Sequence, residues 1–478
     1  MNQRRVLVWL RRDLRLQDNT ALARACADAA DVVPVFVFDA GILGALQDGD
    51  DRRVTFIHRS LREVDAALKE QGSVLLVRHG DPADLIPQLA REVDADAVYT
   101  NRDYEPAAKR RDAHVAARLS DDGRQLTTFA DQVVFEGSEV RTLDGNPYRV
   151  FTPYKRAWLR QYAEQSASGL HPLREEEADP RRFIDAGRIR HLLQPWELRD
   201  IGFTEADQVP AAGMAAARMS LDSFLARIDG YRDTRDFPAQ DTTSRLSVHL
   251  RFGTISVRAL FRAAMARSGP GAETWISELI WREFYQMILD QFPHVTDSAF
   301  KHEYNGIVWP GTDADFEVWK EGRTGFPLVD AAMRHFAATG WMHNRLRMVV
   351  AMFLTKDLLV DWRRGEQYFA RYLLDFDLAA NNGGWQWSAS TGVDAQPYFR
   401  VFHPVLQSRK FDPDGEFIRK HVPELRGFSN TRIHWPHEAD IFEQHSAGCI
   451  LGRDYPHPVV DHAIQRERAI ALFKQTPE

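Results

Sequence analysis

Val6-Leu7-Val8-Trp9-Leu10, followed at once by Arg11-Arg12-Asp13-Leu14-Arg15, decides the reading of the N-terminal part of the chain. An apolar run that stops on charge fits a strand buried on both faces. Similar runs return at 32–38, 74–77 and 97–100, with amphipathic stretches between them at 19–30, 51–71, 82–93 and 105–119. Strand–helix alternation at this spacing predicts βαβ units and a parallel sheet carrying helices on both faces. Ligands of such a sheet bind beyond the carboxyl ends of its strands. No G-x-G-x-x-G follows the first run. The expected domain, residues 1–130, is therefore Rossmann-like α/β without a dinucleotide phosphate loop.

Downstream the pattern changes twice. Residues 131–225 are broken by Pro147, Pro153, Pro172, Pro180, Pro195 and Pro210, and read as a connector running over the surface. From 226 to 478 apolar residues recur at helical spacing, for example at 257–267, 274–291, 328–339, 344–359 and 365–374, which predicts an all-α domain.

Composition bounds the function. The 478 residues are 44% hydrophobic and 27% charged, a globular balance that excludes disorder as the main state. Cys26 and Cys449 match no zinc spacing or disulfide framework and fit a reducing cytoplasm. No apolar stretch approaches the ~20 residues of a membrane helix, so an intracellular protein without a membrane partner is expected. The formal charge is −7, and the stretches 1–140, 141–230 and 231–478 balance at −5, 0 and −2. Any nucleic-acid binding must therefore come from a local patch. Eight of the 12 tryptophans fall between Trp275 and Trp387, which a Trp-rich helical core would also explain.

Four stretches could carry chemistry. In Trp275-Ile276-Ser277-Glu278-Leu279-Ile280-Trp281-Arg282-Glu283, helical spacing puts Trp275, Glu278 and Arg282 on one face with Trp281 at its edge. That face suits a planar polar ligand, and a solvated Glu–Arg pair would account for it too. In Gly340-Trp341-Met342-His343-Asn344-Arg345-Leu346-Arg347-Met348, Asn344 and Met348 point the same way, while Arg345 and Arg347 diverge, one free for a phosphate and the other for an acid. Asp375-Phe376-Asp377 lacks His or Cys at ligand spacing, so no metal site is expected there, and Asn381-Asn382-Gly383-Gly384 reads as a turn beside a ligand. Thr243-Ser244-Arg245-Leu246-Ser247 could cradle a diphosphate at a helix start, or simply cap that helix.

Together these blocks, in this order, resemble the photolyase/cryptochrome family, and most closely its microbial class I cyclobutane pyrimidine dimer photolyases. The resemblance runs from the 6–15 stretch to Asp454-Tyr455-Pro456. It implies a light-dependent DNA-repair enzyme that splits pyrimidine dimers by electron transfer from excited reduced FAD, with a cryptochrome-type photoreceptor as the alternative. The same resemblance assigns FAD to Tyr231, Thr243, Ser244, Arg245, Leu246, Ser247, Trp275, Arg282, Asn344, Arg347, Asp375, Phe376, Asp377 and Asn381, with Arg347 paired to Asp375 and Asn381 at flavin N5. It implies that Glu278 bonds the dimer, that Trp281 and Trp387 wall it, and that Met348 touches it. Arg235, Arg345 and Gln407 match DNA-contacting positions, to which Arg400 and Lys410 are added as phosphate contacts. Trp385, Trp362 and Trp309 match an electron-transfer chain from flavin to surface. Glu105 matches a folate contact of the antenna, but the Cys-Lys pair of some folate-binding members stands here as Thr296-Asp297, leaving folate, deazaflavin, a second flavin or no antenna open. The expected partner is UV-damaged DNA and the expected state a monomer.

Overall fold

The computed structural model describes residues 4–474. The chain forms two compact units, Met1–Asp229 with Ser244–Gln291, and Gly230–Thr243 with Phe292–Glu478.

In the first unit, strands β1 (Arg5–Leu10), β2 (Asp31–Asp39), β3 (Leu76–Gly80), β4 (Ala97–Asn101) and β5 (Gln125–Phe129) form one parallel sheet of order β3-β2-β1-β4-β5. β1 is central, with Val6 opposite both Val32 and Ala97, and its apolar residues are buried as the unbroken run requires. The interleaved helices α1 (Thr20–Asp28), α2 (Arg52–Glu70), α3 (Pro82–Glu92) and α4 (Pro106–Asp121) lie within two residues of expectation. Their ends are chemically marked. Asn19, Asp51 and Asp81 accept backbone N–H bonds as N-caps, and Pro82 and Pro106 stand at first helical positions. Two strand readings need correction. β3 begins two residues later than the apolar run at 74–77 and continues through Arg78 and His79, because pairing with β2 sets its length. β5, Gln-Leu-Thr-Thr-Phe, was absent from the expectation because a half-exposed edge strand carries no apolar run.

Helices α5 (Phe151–Ala167), α6 (Gly213–Leu225), α7 (Ser247–Phe252), α8 (Val257–Met265) and α9 (Pro270–Gln291) complete this unit. The compact units thus divide the chain differently from the expected boundaries at 130 and 225. Within 131–225, Tyr154 and Trp158 are fully buried, so the segment is more than a surface connector. The stretch 247–291, expected with the helical domain, clusters with the sheet instead. Buried ion pairs explain this: Arg258 of α8 binds Asp18 at 2.8 Å and Asp131 at 3.0 Å, and Arg15 binds Asp131 from the other side. Burial raises the Asp131 carboxyl, but Arg15 and Arg258 outweigh it and hold it down at about 2.

The second unit is helical. Its main elements are α10 (Asp313–Lys320), α11 (Pro327–Thr339), α12 (Asn344–Met352), α13 (Trp362–Tyr372), α14 (Leu378–Ala389), α15 (Pro404–Phe411) and α16 (His462–Lys474). One core gathers Trp319, Phe336, Val350, Trp362, Phe369 and Trp385. The single helix expected over 344–359 is interrupted: α12 ends at Met352, and Phe353–Asp357 widens into a π-helical turn. Asn381-Asn382-Gly383-Gly384 is helical, within α14, and not a turn. Asp377 caps that helix by accepting from the Ala380 N–H. The amides of Asn382 and Gln386 reach out to the Val295 carbonyl at 2.8 and 3.1 Å, so they do not compete for their own backbone. Gly365 lets α13 approach α14, since a Cβ there would meet the Trp385 ring at 2.1 Å.

Candidate functional site

Two of the expected groups lie in the first unit: one face of α9 and the loop before α7. Trp275 is buried against Phe224 of α6, ring centroids 4.7 Å apart. Glu278, about one turn further along, and Trp281, nearly two, remain half-buried. The Trp281 indole lies parallel to the Phe151 ring, with centroids 3.7 Å apart and planes 9° from coincidence. Arg282, expected to face the ligand with Trp275 and Glu278, donates to the Gln132 carbonyl. Glu283 next to it is wholly buried and accepts from the Val134 and Phe135 N–H groups and, at 2.6 Å, from Trp158 Nε1. Burial pushes its carboxyl up to about 7 against those three donors, which favour the charged form. In the loop, Ser247 opens α7, Ser244 Oγ accepts from the Leu246 N–H at 3.4 Å, and Arg245 sits at φ +52°, a costly conformation outside glycine. Glu105, the expected folate contact, is engaged in ion pairs with Arg12 at 2.8 Å and Arg251 at 2.7 Å.

The second unit brings together another set. Arg347 and Asp375 form the expected pair, with the guanidinium 2.8 and 3.0 Å from the two carboxylate oxygens. Phe376 packs on the core edge beside it. Asp377 is spent as the cap of α14. Asn381 is buried and donates its amide to Glu366 Oε1 at 2.8 Å; burial raises the Glu366 carboxyl. Asn344 is exposed at the start of α12, and Met348, one turn on, is half-buried like Trp387. His343 caps α12 through Nδ1, and burial lowers its imidazole to about 4, so it is a neutral structural acceptor. Tyr231 is buried, with the Arg235 guanidinium 5.5 Å above its ring. Arg345 stacks on Phe411 at 4.2 Å and pairs with Asp236 at 2.9 Å, so its charge is partly satisfied within the protein. Arg400 and Lys410 are exposed, and Gln407 is half-buried with its Oε1 unpartnered. Trp385 and Trp362 are buried in the core, and Trp309 is half-buried at its edge beside Phe473. Among the described residues no cluster of three or more His, Cys, Asp and Glu could hold a metal, and no helix is long and apolar enough to cross a membrane.

Residues 6–176 match the family model described as DNA photolyase, and residues 275–475 match the FAD binding domain of DNA photolyase. The chain is 41% identical to the deoxyribodipyrimidine photo-lyase of Halobacterium salinarum, across 98% of each chain. It belongs to the DNA photolyase family. A relative of the same name from Escherichia coli is 37% identical, again across 98% of each. Among solved structures, a bacterial class III photolyase from Agrobacterium tumefaciens superposes with a TM-score of 0.87 at 35% identity, covering 100% of this chain and 98% of its own. An archaeal photolyase from Sulfolobus tokodaii, solved with two FAD molecules, gives 0.81 at 33% identity, covering 98% and 99%. A Synechocystis cryptochrome gives 0.85 at 26% identity, covering 98% of each chain.

The flavin-binding match at 275–475 takes in the α9 residues and the second unit's residues from Asn344 to Trp387, but neither Tyr231 nor the loop 243–247; the donors in each unit have the chemistry to suit part of a flavin dinucleotide. Hydroxyls with Arg245 suit a diphosphate, and the Arg347–Asp375 pair with the neutral amide of Asn381 suits the polar edge of a flavin. Sequence reasoning missed Glu366, Asp236, Phe151 and the loop 132–135. The first three act through contacts with residues outside their own helical turn, and the loop acts through backbone N–H and C=O groups, none of which a local side-chain pattern reports.

Proposed function

We propose that this photolyase is a light-driven repair enzyme that splits cyclobutane pyrimidine dimers in UV-damaged DNA, acting as a cytoplasmic monomer. The near-full-length likeness to relatives named deoxyribodipyrimidine photo-lyase carries the reading. FAD, held by Arg347, Asp375, Asn381 and the 243–247 loop, would supply light-driven one-electron chemistry to the dimer. The chain's own residues do the rest. A dimer must leave the duplex to be reached, as with other enzymes that act on a base, and a distorted lesion stacks poorly, so extruding it costs less. In this reading Glu278 hydrogen-bonds the extruded dimer, Trp281 and Trp387 wall it, and Met348 touches it. Arg347, Asp375 and Asn381 hold the flavin edge, while Thr243, Ser244, Arg245 and Ser247 hold the diphosphate. Trp309, Trp362 and Trp385 relay electrons inward. A second chromophore would sit on the α/β unit, where Glu105 is already occupied by arginines.

The test is repair of a dimer-containing oligonucleotide by purified protein whose flavin has been reduced, under blue light and in darkness. Light-dependent repair, with FAD released on denaturation, is expected. Glu278→Ala should keep its FAD and repair several-fold fewer dimers per photon, since it loses one charge-assisted bond to the dimer. Absence of flavin, or flavin without light-dependent repair, would overturn the reading. The second of these results would favour the photoreceptor alternative that the fold shared with a cryptochrome permits.

A further inference from the structure

The segment expected to be a connector grips α9 beside its expected ligand-bearing face, at Trp281, Ser277 and Glu283. Phe151 stacks on Trp281. One turn on, Lys155 donates to Ser277, and Trp158 donates to Glu283. Phe151 is itself packed in: it is the first residue of α5, it is buried, and the next inward residues of that helix, Tyr154 and Trp158, are among the most deeply buried side chains of the unit. Phe284 closes the corner, meeting the edge of Phe151 at 5.9 Å and 72° and the edge of Trp281 at 5.6 Å and 81°. The Trp281 indole thus has a parallel ring on one face, Phe284 standing perpendicular to it, and Tyr285 tilted against it with centroids 5.5 Å and planes 33° apart. Yet it stays half-buried, with surface left to offer.

We propose that Phe151 is a positioning residue for lesion recognition, fixing the plane of the Trp281 indole so that it meets an extruded dimer as a preformed flat wall. The inference rests on the reading of Trp281 as a wall of the dimer pocket. Its physical content is preorganisation. An indole free to swing would lose rotamer freedom each time a dimer entered, and that loss would come out of the affinity for damaged DNA only. Binding to undamaged DNA, which rests on phosphate contacts, does not use the indole plane. Phe151 therefore acts on the ratio of the two affinities.

Phe151→Met and Phe151→Leu keep an apolar side chain and remove the flat ring, and Phe151→Tyr keeps the ring. Anisotropy titrations would compare a duplex containing one dimer with the same duplex undamaged, alongside FAD content and the thermal unfolding midpoint. The Met and Leu variants should lose about three- to ten-fold of the preference for damaged DNA, the range an aromatic pair supports, with undamaged binding changed less than about two-fold. FAD content should hold, and Phe151→Tyr should retain the preference. Trp281→Ala, measured in parallel, separates the two levels. If it loses the preference while both ring-removing variants keep theirs, Phe151 has no such role. If Trp281→Ala keeps the preference, the assignment of Trp281 itself is wrong. Equal loss on both duplexes together with lost FAD would make Phe151 a packing residue only and overturn the proposal.

Discussion

Trp385 shows how closely packing and function are entangled in single side chains. Its ring fills the gap left by Gly365, stands 5.2 Å from Phe369 and 6.0 Å from Trp319, and is almost fully buried. Burial alone would explain a large aromatic there. The relay reading adds a requirement that packing does not: an oxidisable indole. Trp385→Phe keeps an aromatic ring while shrinking it, and should destabilise the unit by about 1–2 kcal/mol through the void it leaves. Photoreduction of bound FAD under blue light with an external reductant should largely stop. Repair by enzyme whose flavin was reduced chemically beforehand should survive. Normal photoreduction in the variant would return Trp385 to packing alone. At this scale the Arg347–Asp375 pair was legible, because resemblance named both partners, and the structure places them 2.8 Å apart. Glu366 was not, because its bond to Asn381 joins two helices and nothing local marks it among many surface acids.

At the scale of elements, periodicity located helices well and failed where side chains made unusual bonds. Asn381-Asn382-Gly383-Gly384 carries turn chemistry, yet Glu366 and the Val295 carbonyl accept its side-chain amides and leave the backbone free to stay helical. The attachment of α8 was equally hidden. Arg258 is one arginine among many until Asp18 and Asp131 are seen around it. This network predicts a pH dependence with a definite sign. The Asp131 carboxyl, held at about 2 and ordinarily at 3.8, contributes stability that is fully present above the unfolded value. That contribution, about 2 kcal/mol, is lost as pH falls from the unfolded value through the folded one. Asp131→Asn should cost about 3 kcal/mol at neutral pH, since two arginines lose their buried counter-charge. Urea titrations at descending pH should show the gap between wild type and variant narrowing in acid. A gap that stays constant to the acid limit would mean that Asp131 does not carry the network's charge.

For the molecule as a whole, composition was least informative where function is concentrated. The α/β and helical classes were both legible, because each rests on a long-range period in the chain. The division into compact units was not, since it depends on buried ion pairs and on α5, which proline spacing disguised as a connector. Net charge misleads in the same way. At −7 the chain should be repelled by DNA at long range, yet the expected contacts Arg235, Arg345, Gln407, Arg400 and Lys410 all belong to the second unit, and two of the cations are exposed. Cations that meet phosphates release counterions, so affinity for dimer-containing DNA should fall steeply with salt despite the acidic total. The cations should not contribute equally. Lys410 and Arg400 are exposed, and each, replaced by Ala, should lower the slope of log affinity against log salt by about 0.9, the value for one phosphate contact on duplex DNA. Arg345 already faces Asp236 at 2.9 Å, so part of its charge is neutralised before DNA arrives, and Arg345→Ala should change the slope by less. Titrations of all three variants over a range of salt concentrations would rank them. A complex insensitive to salt, or one in which Arg345 carries the largest share of the slope, would place the phosphate-binding face elsewhere.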